Sequence, residues 1–178
     1  MAATDSLRTL LTTQLEATVA RRPPGEILRA VPLGSRRVQP DGLPEAYSLW
    51  QILEHLRICQ ADYLDYCVNP DYTLPTWPAD YWSDTVAPPS TDAWGNSLKQ
   101  FRDGLQSVKQ LVNDPDIKIG GPIPHADGAA YHGTTYASEI AAIADHNAYH
   151  LGQVVTVRRL LDVWPPDDVG NPDWEDDL

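Results

Sequence analysis

Proline settles the outline of this chain. Pro23-Pro24, Asn69-Pro70 and Pro165-Pro166 each follow a long segment that keeps helical spacing. Proline lacks an amide hydrogen and clashes with the preceding turn, so each of these points closes the helix that leads into it. Four such segments can be drawn. In about 5–21, Leu7, Leu10, Leu11, Gln14 and Thr18 make a stripe that weakens towards its end, with Thr4 or Asp5 as cap. About 45–68 opens with Ser48-Leu-Trp-Gln51, which fits a reciprocal capping box, and Leu49, Ile52, Leu53, Leu56, Gln60, Tyr63 and Cys67 follow along one face. About 91–113 starts at Thr91 and Asp92 and runs through Trp94, Leu98, Phe101, Leu105, Val108 and Val112. Gly95 and Gly104 weaken that helix by about 1 kcal/mol each relative to Ala, unless they permit close packing. The last segment is about 135–162.

The connections are long. Residues 22–44 carry many Pro and Gly, with one helical turn expected at 26–30. Residues 70–90, PDYTLPTWPADYWSDTVAPPS, read as an aromatic cover over one end of a bundle, or as an ordered loop with packed Trp side chains. A short helix is expected there at 79–83. Residues 114–134 form a third loop. Four long helices without a strand pattern predict an all-α chain: a four-helix bundle over residues 1–164, with a long first connection that permits a crossover. Residues 165–178 form an acidic C-terminal tail.

Lys and Arg total 13 against 25 Asp and Glu, a net charge of −12. Nucleic acid and anionic membrane surfaces are thereby disfavoured as partners. On one helix Cys59 and Cys67 stand roughly 12 Å apart, too far for a disulfide. Free thiols favour a reducing compartment. The first residues lack the basic start and apolar run of a signal peptide, and no apolar stretch approaches bilayer length. The expectation is a cytoplasmic protein.

The chemistry concentrates in Asp145-His-Asn-Ala-Tyr-His150-Leu-Gly-Gln153. A helix turns about 100° per residue, so His146 and His150 share one face, His150 within the apolar stripe and His146 at its edge. His55 on the second helix lies on the flank of its stripe, able to face a neighbouring helix. Burying imidazoles is unfavourable unless each is satisfied. A metal would satisfy the pair together; hydrogen-bonded core histidines are the other reading, and spacing leaves both open. Asn147 follows His146 where a zinc protease of HExxH type places its catalytic Glu, so that activity is disfavoured.

The closing stretch resembles the last motif of the DinB/YfiT-like superfamily, and Trp50-Gln-Ile-Leu-Glu-His55-Leu resembles its first-histidine motif. The likeness runs over nearly the whole chain. It implies a four-helix bundle of DinB/YfiT type with His55, His146 and His150 as ligands of a divalent metal, commonly nickel or zinc, with water on the open positions. It also implies a metal-dependent enzyme acting on a small-molecule substrate. The reaction would be a thiol-dependent S-transfer or isomerisation using a low-molecular-weight thiol such as bacillithiol or mycothiol, or a hydrolysis. The alternative is a non-catalytic metal-binding or stress-response bundle. A homodimer is implied as well.

Other residues carry two readings each. Cys59, one turn after His55, is a buried structural thiol or a neighbour of the metal. Glu54 and Asp145 read as solvated surface charge. Gln153 and Tyr149 flank the ligands and could position them. His125 and His132 read as loop residues at the surface or at the pocket rim. Gly152 reads as a close-packing position.

Overall fold

A computed structural model describes residues 2–17, 22–43, 46–125 and 134–164. The chain is all-helical: α1 (Ala2–Glu16), the short α2 (Pro24–Leu28), α3 (Leu49–Val68), α4 (Ala93–Asn113) and α5 (Tyr136–Leu160). Single 3-10 turns stand at Leu33–Arg37 and Ala79–Tyr81. No strand occurs among the described residues; an isolated bridge joins Pro122 and Thr135.

Local chemistry sets the helix starts. Ser48 Oγ accepts the amide of Gln51 at 3.2 Å, and Gln51 Oε1 accepts the amide of Ser48 at 3.1 Å. This is the expected capping box, and it begins α3 at Leu49 rather than near 45. Thr135 and Ser138 form a second box at the start of α5. The cap expected from Thr91 is not made. Asp92 is the N-cap, its side chain caps nothing, and the Thr91 hydroxyl turns to the Asp92 carboxylate instead.

α1 departs most from expectation. It ends at Glu16 rather than near 21, and Thr4 and Asp5 lie inside it rather than capping it. Its buried stripe is Leu11 and Leu15 with Leu7 alongside, whereas Leu10 is 55% exposed. The reason is division of labour. α1 fills only the lower half of the bundle, and α2 with Val31 fills the upper half in its place. Thr18 lies outside the described residues.

Two apolar cores follow each other along the bundle. The upper one joins Ile27 and Leu28 of α2, residues 49–56 of α3, residues 94–101 of α4 and residues 151–157 of α5. The lower one joins α1, Tyr66 and Cys67, residues 105–112, and residues 140–144. α3 and α4 therefore run parallel, and α5 runs antiparallel to both. α1 runs antiparallel to α4: the Arg8 guanidinium reaches the carbonyls of Val112 and Ile117, and Glu16 pairs with Lys109. Both α1 and α3 pack on α4 and α5, so α1 and α3 face each other across the diagonal. The first connection is thus a crossover. A parallel α3–α4 pair forces a second one, because residues 69–92 must climb the whole bundle before α4 can begin.

Arg158 ties the upper end together. In the sequence it belongs to a short basic pair; in the fold its side chain is fully buried. It donates to the carbonyls of Ile27 at 2.6 Å, Arg29 at 2.9 Å and Val163, and stacks over Trp164. Burial lowers its pKa to about 10, with the Arg29 charge adding to the shift, so it stays charged at neutral pH. Arg158→Met keeps the apolar stem and removes every donor. The expected result is a loss on the order of 3 kcal/mol, read as a lower urea midpoint at unchanged slope. A variant as stable as the parent would show that water replaces the guanidinium.

Candidate metal centre

Between the two cores lies a polar layer. The Gln60 side-chain amide donates to the Phe101 carbonyl at 2.7 Å and accepts from Asn147 Nδ2 at 2.9 Å. Gln60 and Asn147 are each 1% exposed, so this chain of bonds fixes the register of α5 against α3 inside the protein. Gly104 makes room for it: a Cβ there would stand 2.7 Å from Gln60 Nε2. Gly95, by contrast, has nothing within 4 Å of such an atom.

In the same layer His55 of α3 meets His146 and His150 of α5. One nitrogen from each ring can be chosen so that all three lie within 4.8 Å of one another. The Nε2 atoms of His55 and His146 are 3.2 Å apart. His55, placed on a flank by helical angle, is 2% exposed. The second crossover explains this, because it runs past the middle of the bundle rather than over its end. Tyr81 O accepts from His55 Nδ1 at 2.8 Å, and the Trp82 ring stacks on the His55 ring at 3.7 Å and 5°. Tyr47 stacks in turn on Trp82.

The ring environments set the protonation states. Burial, opposed by the Tyr81 carbonyl and aided by His150, lowers the His55 pKa to about 4. Burial, with the neighbouring His150 and His55 rings, takes His146 to about 4 against a weak pull from Asn147. Burial also lowers His150, partly offset by Gln153. All three are neutral at pH 7, the form that offers a lone pair to a cation.

The donor set fits a divalent ion. His55 gives its Nδ1–H to Tyr81 O, and His150 gives its Nδ1–H to Gln153 Oε1 at 2.7 Å. Such outer acceptors fix the tautomer and aim the other nitrogen at a metal. Two nitrogens about 2.05 Å from a tetrahedral zinc stand roughly 3.3 Å apart, close to the His55–His146 separation. His146 Nδ1 and the adjacent Asn147 Oδ1 are buried without a hydrogen-bond partner.

Beside the imidazoles opens a cavity of about 370 Å³, walled by Cys59, Asp62, Tyr63, Trp77 and Tyr81. The Cys59 sulfur approaches both His55 nitrogens, at 3.4 Å and 3.6 Å. Burial and the Asp62 charge push this thiol up to about 12, so it is protonated and a poor nucleophile.

The remaining candidates separate cleanly. Gln153 holds His150, as described, and Tyr149 is 64% exposed with its edge against the His150 ring at 4.8 Å. Asp145 is exposed. Glu54 is not simple surface charge: it pairs with Arg57 at 2.8 Å. Burial raises its pKa, but bonds from Arg57 and Ser97 outweigh that and lower it overall. Gly152 is not a close-packing position, since an added Cβ would meet nothing within 4 Å. His125 donates to Tyr66 O near the lower end, away from the cluster, and His132 lies outside the described residues. Sequence reasoning missed Asp62, although it stands seven residues after His55 and so on the same face of α3. It also missed the Gln60–Asn147 bond and the Tyr81 carbonyl, for which periodicity offers no signal.

Two outcomes follow. Gly104→Ala pushes on a buried, bonded amide and should destabilise the chain by about 1–3 kcal/mol. Gly95→Ala on the same helix should instead add up to about 1 kcal/mol. Denaturant melts give both, and equal signs would contradict this placement of Gln60. The metal-free chain should also lose stability as pH falls. Folded pKa values near 4 for His55 and His146 lie below the ordinary 6.5. Between those limits the unfolded chain binds more protons, so stability rises with pH through the window and drops on acidification. Melts across that window should show a shallower slope in His146→Gln than in the parent. Comparison with known protein families, characterised proteins and solved structures gives no match to this chain, so the reading of the site rests on its own geometry.

Proposed function

We propose that this chain is a metal-dependent enzyme of the DinB/YfiT-like kind, with a divalent ion, nickel or zinc, held by His55, His146 and His150. One observation carries the reading: three neutral imidazoles from two helices converge at the edge of a cavity, two of them with their second nitrogen already engaged. Three imidazole ligands leave coordination positions open, as catalytic rather than structural sites do. A bound ion would supply Lewis acidity, lowering the pKa of water or a thiol and polarising a carbonyl.

The chain's own residues would bind and orient. Tyr81 and Gln153 hold two rings in place, Trp82 shields His55 from solvent, and the cavity admits a small molecule. Thiol-dependent S-transfer or hydrolysis suits such a site. In this reading a low-molecular-weight thiol would come from solution. Cytoplasmic residence and a homodimer belong to the same reading. Two buried free thiols support the first. Exposed Tyr149 and Leu160 on α5 offer the second an apolar surface. No helix among the described residues is long and apolar enough to cross a membrane.

A second reading is favoured by the position of the cluster. An ion held by both α3 and α5 would brace these two packed helices at the level where the apolar cores part, as a structural metal does.

Elemental analysis of untagged, reloaded protein should find close to one ion per chain. Less than about a tenth, after reloading, would remove both readings. His150→Ala should lose the ion while staying folded, and Gln153→Ala should weaken binding roughly 10–100-fold. Chelation that leaves a folded, inactive chain supports the enzyme. Chelation that collapses the melting temperature, with no turnover of any thiol–electrophile pair, supports the structural metal.

A further inference from the structure

The wall of the cavity carries a fixed charge as well as the imidazoles. Asp62 Oδ1 accepts the Tyr72 hydroxyl at 2.8 Å, and Oδ2 accepts the Tyr81 hydroxyl at 2.8 Å. Gripped from both sides, the carboxylate cannot swing, yet each oxygen keeps a lone pair for another donor. No Lys or Arg lines this cavity. No ion pair reaches Asp62 among the described residues, and the one basic residue nearby on α3, Arg57, is taken by Glu54.

Aromatic surface lies next to it. Trp77 is 67% exposed, an unusual position for an indole, with its ring tilted against Tyr81 at 5.4 Å and edge-on to His55 at 6.4 Å. An uncompensated carboxylate beside open aromatic faces attracts ammonium groups, through charge and through the ring quadrupoles. A phosphate, sulfonate or carboxylate would meet repulsion here and no cation to offset it.

We infer that this cavity receives a small organic cation, its ammonium group lodged between Asp62 and the rings of Trp77 and Tyr81, its other end directed at the three imidazoles. Seven residues of helix separate Asp62 from His55, about 10 Å along α3, which sets the reach of such a molecule. The ammonium site stands on Asp62 and the rings. That the far end meets an ion rests on the metal-centre reading above.

Three probes of similar length decide it. N-(aminopropyl)imidazole, N-butylimidazole and N-(carboxypropyl)imidazole share a metal-binding head and differ only in the charge of the tail. Titrated calorimetrically into the nickel-loaded full chain, the aminopropyl probe should bind at least about tenfold more tightly than the carboxypropyl probe, with the butyl probe between them. Asp62→Asn should shrink that ratio to within about threefold. Trp77→Leu, at an exposed position that the fold does not need, should weaken the aminopropyl probe alone. Equal affinities, a tighter carboxypropyl probe, or a ratio untouched by Asp62→Asn would overturn the inference. Propylammonium and butyrate titrated into the metal-free chain, followed by tryptophan fluorescence, give a second arm. If nickel does not load, the metal centre fails and this arm alone decides the ammonium site: saturable binding of propylammonium but not butyrate supports it, and the absence of such a difference rejects it.

Discussion

The structure depends on a polar layer that interrupts its core. Above and below that layer, leucine, isoleucine and tryptophan pack in the ordinary way. Within it, Gln60, Asn147 and three imidazoles occupy space that apolar side chains would fill at no desolvation penalty. The amides answer each other and the Phe101 carbonyl, which compensates the burial of Gln60 and of Asn147 Nδ2. The imidazoles are compensated only in part: two nitrogens have carbonyl partners, while His146 Nδ1 and its neighbour Asn147 Oδ1 have none. A fold that tolerates this at its centre places its least satisfied atoms beside its candidate site, where natural proteins commonly set stability aside for function.

Much of this was legible in the residues, and the limits have physical causes. The four long helices could be read because three of them carry long apolar stripes bounded by proline or by caps. α1 was misread at both ends because its stripe is short and the leucine pair Leu10-Leu11 fits two phases; only the tertiary partner decides that Leu15, not Gln14, continues the buried face. The histidine pair on α5 was visible from its spacing. The placement of His55 was less so, because a flank position becomes interior only when another segment covers it, and that segment is residues 69–92. Hydrogen bonds to backbone carbonyls, such as Tyr81 on His55, leave no sequence pattern at all. Arg158 shows the same blindness from the other side: a surface-looking basic pair hides the cation that closes the upper end.

Charge divides along similar lines. The excess of acidic residues is a property of the whole composition. It says nothing of where one carboxylate stands. Asp62 differs from its acidic neighbours because two tyrosine hydroxyls from a distant segment hold it at the cavity wall.

The parallel pairing of α3 and α4 has one more consequence. α3 has 20 residues, about 30 Å of helix, and an extended chain could retrace that length in about nine residues. The chain uses residues 69–92 for the journey, far more than the distance requires. That surplus supplies Trp77 and Tyr81 of the cavity wall and Trp82 against His55, while the helices supply the imidazoles. The same loop reaches back to the imidazoles, since the Tyr81 carbonyl and the Trp82 ring hold His55, so a change in its length or course would alter the cavity wall and the aim of that ring together.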